Sequence, residues 1–314
     1  MKAAAPVRVL LGPQSPVSNI AAAVANAEIP DGPLAVISAA WQETEGDIGE
    51  VGDILGRDVE DLYLYRREEG LLASHPELQA AARLRQTRLI EQQKMYRLRL
   101  KQLNIAARKM MSADGDAEMV AAEQRHAIAQ LRALDRHQLH RSESIWRRFS
   151  DVYSRENFPA LAQQAQEIGE VIDRCAGVVI TGGNVAVLIN RMRLFGVDKM
   201  LGDRHVVAWS AGAMALAERV VLFHDRAPEG RRDAEVLGGG CGVIPGYIFL
   251  PDTKHRLKKS DRRRVGLLSR RFSPDVCIAL DCGAELHFDS VDVTLANGVQ
   301  KLGVDGRMAR LKAA

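Results

Sequence analysis

Short runs of Val, Ile and Leu alternate with helix-forming segments over two stretches of the chain. In the first, 7–11 predicts a strand, 18–27 a helix and 34–38 a second strand. An acidic helical stretch follows over 45–57, and 62–65 predicts a third strand. The alternation resumes near 160 with a helix over 158–174, a strand at 178–180, a helix after Asn184 and a strand at 206–209. Further strand-like runs lie at 247–250, 276–280, 286–288 and 292–296, and Asn297-Gly298 predicts a tight hairpin turn after the last. Strands separated by helices specify an α/β fold with a doubly wound, mostly parallel sheet.

Residues 76–150 break this rhythm. They lack strand signal, and their one Pro, Pro76, stands at the very edge. Apolar positions at Leu89, Tyr96, Leu100, Leu103, Ala107 and Met110 recur at intervals of three and four or their sums, which makes one helical stripe. A second stripe runs through Val120, Ala127, Leu131, Leu134, Ile145, Phe149 and Val152, and 112–116 supplies turn and N-cap chemistry between them. The segment is therefore expected as a long helical hairpin, 76–150, inserted into an α/β core made of 1–75 and 151–314. Two paired helices make a thin core, so the hairpin should also dock, on its own core or on a second subunit. The first helix is basic, with nine Lys and Arg from Arg83 to Lys109 against the single acid Glu91. It complements the acidic 43–61 stretch, and a homodimer through the hairpin is the expected assembly.

Composition narrows the rest. A net charge of +3 over 314 residues, with 46% hydrophobic content, suits a globular chain and makes no case for a nucleic-acid partner. A second basic cluster, 254–271, reads either as an exposed helix or as an attractor of acidic substrate. The four cysteines show no Cys-x-x-Cys spacing and are expected as reduced, mostly buried thiols, Cys282 among them. No apolar run is long enough for a signal-peptide core or a membrane helix, so a cytoplasmic location without membrane contact is expected. No metal or cofactor is implied: the histidines and cysteines lack ligand spacing, and the 238–240 glycines lack the Lys-Ser/Thr of a phosphate loop and read as a flexible turn.

The chemistry concentrates at 206–218. A β-branched run ends at Trp209, and Ala-rich helical sequence starts at Ala211, which puts Ser210 on the junction. A serine there stands on a tight strand-to-helix turn, above the sheet, beside the unpartnered N–H groups of the helix's first turn. That is what a nucleophile needs, because the developing oxyanion requires donors already in place. A second strand-to-turn junction, Thr181-Gly182-Gly183-Asn184, precedes it by about 30 residues.

The Trp209-Ser210-Ala211-Gly212-Ala213 string resembles the nucleophile segment of the dipeptidase E and cyanophycinase family of serine peptidases, whose fold is class I glutamine amidotransferase-like. The 178–184 segment resembles that family's second signature. The resemblance implies Ser210 as nucleophile and the amides of Gly183 and Ala211 as oxyanion donors, with Asn184 and Trp209 beside them as substrate-contacting candidates. It implies Asp225, fifteen residues after Ser210, as the triad carboxylate. Asp252-Thr-Lys-His255 resembles the family's Asp-x-His with one extra residue, so His255 is the base candidate. His224 is the fallback, and Asp252 takes the position in an alternative alignment. The cyanophycinase acidic segment reads Asp281-Cys282-Gly283-Ala284 here, and Glu285 is the candidate replacement for its glutamate. The expected function is that of a serine peptidase or hydrolase acting on small peptides or amides. The alternative is a non-catalytic binding or scaffold protein on the same fold, with the hairpin as its contact surface.

Overall fold

Five strands with β-branched or aliphatic cores pair in parallel at the centre of the molecule, which was described from a computed structural model covering residues 6–224 and 233–313. In chain order the first half comprises β1 (Val7–Leu11), α1 (Ile20–Asn26), β2 (Leu34–Ile37), a 3₁₀ segment (Ala39–Thr44), α2 (Gly49–Leu55), β3 (Val59–Asp61) and α3 (Leu64–Ser74). Two long helices follow, α4 (Pro76–Met110) and α5 (Ala117–Ser150). Then come α6 (Pro159–Arg174), β4 (Gly177–Ile180), α7 (Val185–Leu194), β5 (Val206–Trp209) and the five-residue α8 (Ala211–Ala215). The remainder holds β6 (Arg219–Leu222), β7 (Glu235–Gly239), β8 (Tyr247–Pro251), α9 (Thr253–Arg256), α10 (Arg262–Phe272), β9 (Val276–Leu280), β10 (Glu285–Asp289), β11 (Asp292–Asn297), β12 (Gln300–Leu302) and β13 (Met308–Arg310).

The main sheet runs β11-β10-β1-β5-β4-β2-β3, with β10 antiparallel to both of its neighbours, β1 and β11. Its central strands are buried on both faces, as helix-covered parallel strands must be. Leu10, Ile37, Ile180 and Ala208 pack against α6, α7 and α8, whereas Val9, Val36, Val179 and Val207 face α1 and α2. A second sheet, β13-β12-β9-β8, and the two-stranded β6-β7 ribbon lie beside it. The α/β class and mostly parallel sheet agree with the sequence pattern. Among the described residues no helix is long and apolar enough to cross a membrane.

Four local expectations are corrected. Residues 62–65 are not a strand: β3 ends at Asp61, and the Glu45 carboxylate accepts the Tyr65 and Arg66 N–H groups at 2.8 Å each, starting α3 there instead. Asn297-Gly298 closes no hairpin, because β11 pairs with β10 while β12 pairs with β9 and β13, so this turn hands the chain from one sheet to the next. Gly238 and Gly239 belong to β7, held in register with β6, rather than to a flexible turn. The 254–271 cluster is exposed only in part: α10 leaves Arg262, Arg263 and Arg270 exposed but buries Arg264 and Arg271 along with Val265, Leu268 and Phe272.

The hairpin forms as its stripes specify, with Asp116 capping α5 through a 3.0 Å bond from the Met119 N–H. It docks on its own core. Tyr96, Leu100, Leu131 and Leu134 share one apolar cluster with Phe223, Val236, Val265 and Phe272. At the heart of that contact Arg271 donates to Asp135 at 2.7 and 2.6 Å, to the Tyr96 hydroxyl at 2.8 Å and to the Ala234 carbonyl at 2.7 Å. Tyr96 in turn donates to Asp135 at 2.8 Å and accepts the Val236 N–H at 3.0 Å. One buried guanidinium thus joins α4, α5, α10 and β7, with each partner oxygen accounted for. Burial pushes the Tyr96 hydroxyl above its ordinary range.

Removing one partner from such a node strands a buried charge. Asp135→Ala should therefore cost about 3–5 kcal/mol in urea unfolding at neutral pH. Arg174→Ala, which breaks the exposed ion pair with Glu60, should cost under about 1 kcal/mol. Equal losses in the two variants would show that the buried node contributes nothing special.

Candidate active site

Ser210 sits where β5 stops and α8 starts, with φ 49° and ψ −112°. Non-glycine residues rarely occupy that region, and holding one there costs on the order of 1–3 kcal/mol. The strain is imposed from both sides. The Ser210 N–H donates to the Leu11 carbonyl at 3.2 Å, which keeps it in line with β1, while its own carbonyl already accepts the Met214 N–H at 3.1 Å. Its hydroxyl makes no capping bond to α8, and among the described residues it has no other hydrogen-bond partner.

Close approach of backbones makes this junction possible. A Cβ on Gly212 would stand 2.4 Å from the Ile180 carbonyl oxygen, so only glycine lets α8 start against the end of β4. A Cβ on Gly182 would stand 3.0 Å from Ser210 Cβ and 3.1 Å from Trp209 Cδ1, which puts the glycine turn directly against the elbow. Gly183, at φ 129°, is exposed next to it and abuts the Ala40 carbonyl, which accepts the Asn184 N–H at 3.0 Å. The Ala40 segment carries a second strained residue, Gln42, at φ 60° and ψ −117°. Ser210, Ala211 and the Gly182-Gly183 turn thus share the C-terminal edge of the parallel strands, where folds of this type collect ligands.

The other site candidates fall in different places. Asn184 caps α7, its Oδ1 accepting from the Ala186 and Val187 N–H groups at 3.1 and 3.2 Å. Trp209 is buried in the α1/α2 layer. Glu285 does not face an open pocket: it is buried on β10, and its Oε1 pairs with His287 Nε2 at 2.8 Å and accepts from Asn26 at 3.0 Å. Cys282 is exposed rather than buried, because the loop it occupies lies outside both sheets. Asp225 lies outside the described residues. His224 stacks on Phe223, whose ring belongs to the apolar layer between the hairpin and α10, not to the glycine turns.

His255 lies on α9, just past β8, and bonds Asp252 rather than Ser210: its Nδ1 is 2.6 Å from Asp252 Oδ1. The His255 side chain is 73% exposed. Asp252 itself has φ 60°, a left-handed corner at the end of β8. The same corner is tied to the Ser210 edge through the 281–284 loop. The Asp281 carboxylate accepts from Thr253 Oγ1 at 2.9 Å, the Lys254 N–H at 2.8 Å and Lys259 Nζ at 2.5 Å. The Asp281 carbonyl packs so tightly on Gly12, the residue after β1, that a Cβ there would be 1.9 Å away. The Asp252–His255 pair is the feature that composition alone does not reveal, although its three-residue spacing on a helix is a legible signal.

No protein-family model and no curated protein matches the chain. Among solved structures it is similar to a peptidase from an acI-B1 Actinobacterium, with TM-score 0.48 and 13% identity over 98% of this chain and 95% of that one. It is also similar to a peptidase E candidate from Listeria monocytogenes EGD-e, with TM-score 0.43 and 9% identity over 94% and 98% of the two chains.

Burial raises the Asp281 pKa, but Lys259 and the N–H and hydroxyl donors outweigh it and hold the carboxyl below its usual value. A depressed folded pKa stabilises above the unfolded value, near pH 4, and that stabilisation is lost as pH falls through the folded value. Asp281→Asn should accordingly lose about 1–2 kcal/mol at pH 7 and progressively less at acidic pH, as the pH falls through the folded value. Urea unfolding at neutral and acidic pH checks this. A deficit that persists in acid would mean that packing, not charge, is what the substitution removes.

Proposed function

We propose that the chain is a serine hydrolase of peptidase type, cleaving small peptides or amides. The observation that carries this reading is the strained backbone of Ser210, held at a strand-to-helix elbow with its hydroxyl uncommitted. Strain of this kind persists only where surrounding structure overrides it, and it collects at functional positions.

Ser210 Oγ attacks the scissile carbonyl. The Ala211 N–H, at the start of α8, and the Gly183 N–H, on the adjoining turn, donate to the carbonyl oxygen as it gains negative charge. His255 Nε2 takes the hydroxyl proton and returns it to the departing amine, and water then releases the acyl group by the same route in reverse. Asp252 fixes the tautomer by accepting the Nδ1 proton, the part a triad carboxylate plays. The resemblance to dipeptidase E would give that part to Asp225, and the pairing at 2.6 Å supports Asp252. The open His255 side chain suits closure on a bound substrate, since catalytic bonds in unliganded sites are often long and tighten later.

A fluorophosphonate probe should label the wild type and leave Ser210→Ala unlabelled, and hydrolysis of a peptide or amide substrate should fall at least about 10³-fold in that variant. Ser210→Gly should lose hydrolysis equally yet gain about 1 kcal/mol in stability, because glycine relieves the backbone strain. Of the carboxylates, Asp252→Asn should lower turnover steeply and Asp225→Asn only slightly. The opposite order would restore Asp225 to the triad. A wild-type chain that neither labels nor hydrolyses would leave a binding protein built on a hydrolase fold.

A further inference from the structure

An open cavity of about 210 Å³, lined by residues of α4, α5, α7 and β7, lies apart from Ser210. Its walls are apolar where Leu89, Trp146, Ile189 and Leu237 meet, and its rim carries the carboxamides of Gln86 and Asn190. None of the residues assigned to Ser210 chemistry lines it.

Three features mark it as a formed site rather than a packing defect. First, its polar wall is already satisfied: Gln138 Nε2 donates to Gln93 Oε1 at 2.6 Å, and Gln93 Nε2 donates to Glu235 Oε2 at 3.0 Å. Such a closed network holds the wall in one shape. Second, each guanidinium in the lining has its own carboxylate. Arg97 Nε donates to Glu235 at 2.6 Å, and Arg193 Nη1 donates to Glu143 at 2.8 Å. The lining therefore calls for no charged ligand. Third, β7 presents Gly238 to the cavity, and a Cβ there would meet only Ser142 Oγ, at 3.7 Å. The missing side chain leaves room that a larger residue would take up.

We propose that this cavity is a small-molecule site for a neutral ligand that joins an apolar ring or branched chain to an amide. Apolar cavities of about 150 Å³ already accept benzene, so a ring fits here with room for a short polar arm. The ring lies between Trp146, Ile189 and Leu237, and the amide meets Gln86 and Asn190 at the rim. Such a division, apolar walls with a few polar groups that fix orientation, is how small-molecule pockets are built. Ile90, 59% exposed at the mouth, is the apolar surface that such a ligand would cover on entry. A bound ligand touches both the hairpin and α7, so it would fasten the insertion to the core.

Benzamide is the probe, titrated into the full chain by calorimetry and by intrinsic tryptophan fluorescence. Saturable binding with a Kd of about 1 mM or tighter is expected for a ligand this small. Gly238→Leu should fill the cavity and weaken binding at least about tenfold, a difference of 1.4 kcal/mol or more, while its circular dichroism stays that of the wild type. Gly238→Ala, whose added carbon makes only an ordinary contact, should fold in any case and weaken binding severalfold. Ser210→Ala should bind as the wild type does. Three results would overturn the proposal: no saturable binding up to about 20 mM, well above the expected Kd, binding unchanged in both Gly238 variants, or binding abolished by Ser210→Ala. The last would place the amide at the Ser210 edge, which supports the hydrolase reading while removing the second site.

Discussion

The distance between α8 and β4 is the constraint on which the candidate site depends. No side chain fits between Gly212 and the Ile180 carbonyl, nor comfortably between Gly182 and Ser210. Because backbones meet there directly, Ser210 has no freedom to relax into an ordinary helical or extended conformation. The same proximity brings the Gly182-Gly183 turn against the elbow that carries Ser210. Glycine thus acts here through the side chain it lacks, and the strained serine is the result.

The hairpin depends on a different physics. Its two stripes suffice to pair α4 with α5, but the attachment to the core is polar at its centre, where Arg271, Asp135 and Tyr96 are buried together. A guanidinium that is removed from water and fully bonded gives orientation more than net stability. Apolar residues around it, from Leu100 to Phe272, supply the burial. Arg108 with Asp233 and Arg132 with the Arg270 carbonyl extend the same strategy along the hairpin, nearer solvent. The basic character of the insertion is in part explained by these contacts: some of its cations have partners on the core.

Much of this was legible in the sequence because it is local. The β-branched runs, the hairpin stripes and the Ser210 junction each declare themselves within a dozen residues. What was not legible depends on pairing across long separations. Nothing near Asn297-Gly298 distinguishes a hairpin from a crossover between sheets, since that is decided by where β9 lies. Arg271 reads as one more surface cation until Asp135 is placed beside it, 136 positions away. Glu285 reads as a free carboxylate until His287 is seen to turn the same way on β10. The 62–65 run misled for a subtler reason: Leu62 and Leu64 are buried as in a strand, but at the turn into α3 and in its first residue.

The place of the hairpin in the chain bears on how the fold assembles. It separates β2 from β4, which are neighbours in the sheet and pair in register from Leu34 and Gly177. The insertion roughly doubles the length of chain that this pairing must close. Loop-closure entropy grows only with the logarithm of length, so the penalty is about 0.6 kcal/mol. Even that overstates it, because an antiparallel helical pair holds its own two ends close together. A large accessory element at this point is therefore nearly neutral for the central sheet, and this α/β core can carry it without redesign of its strands.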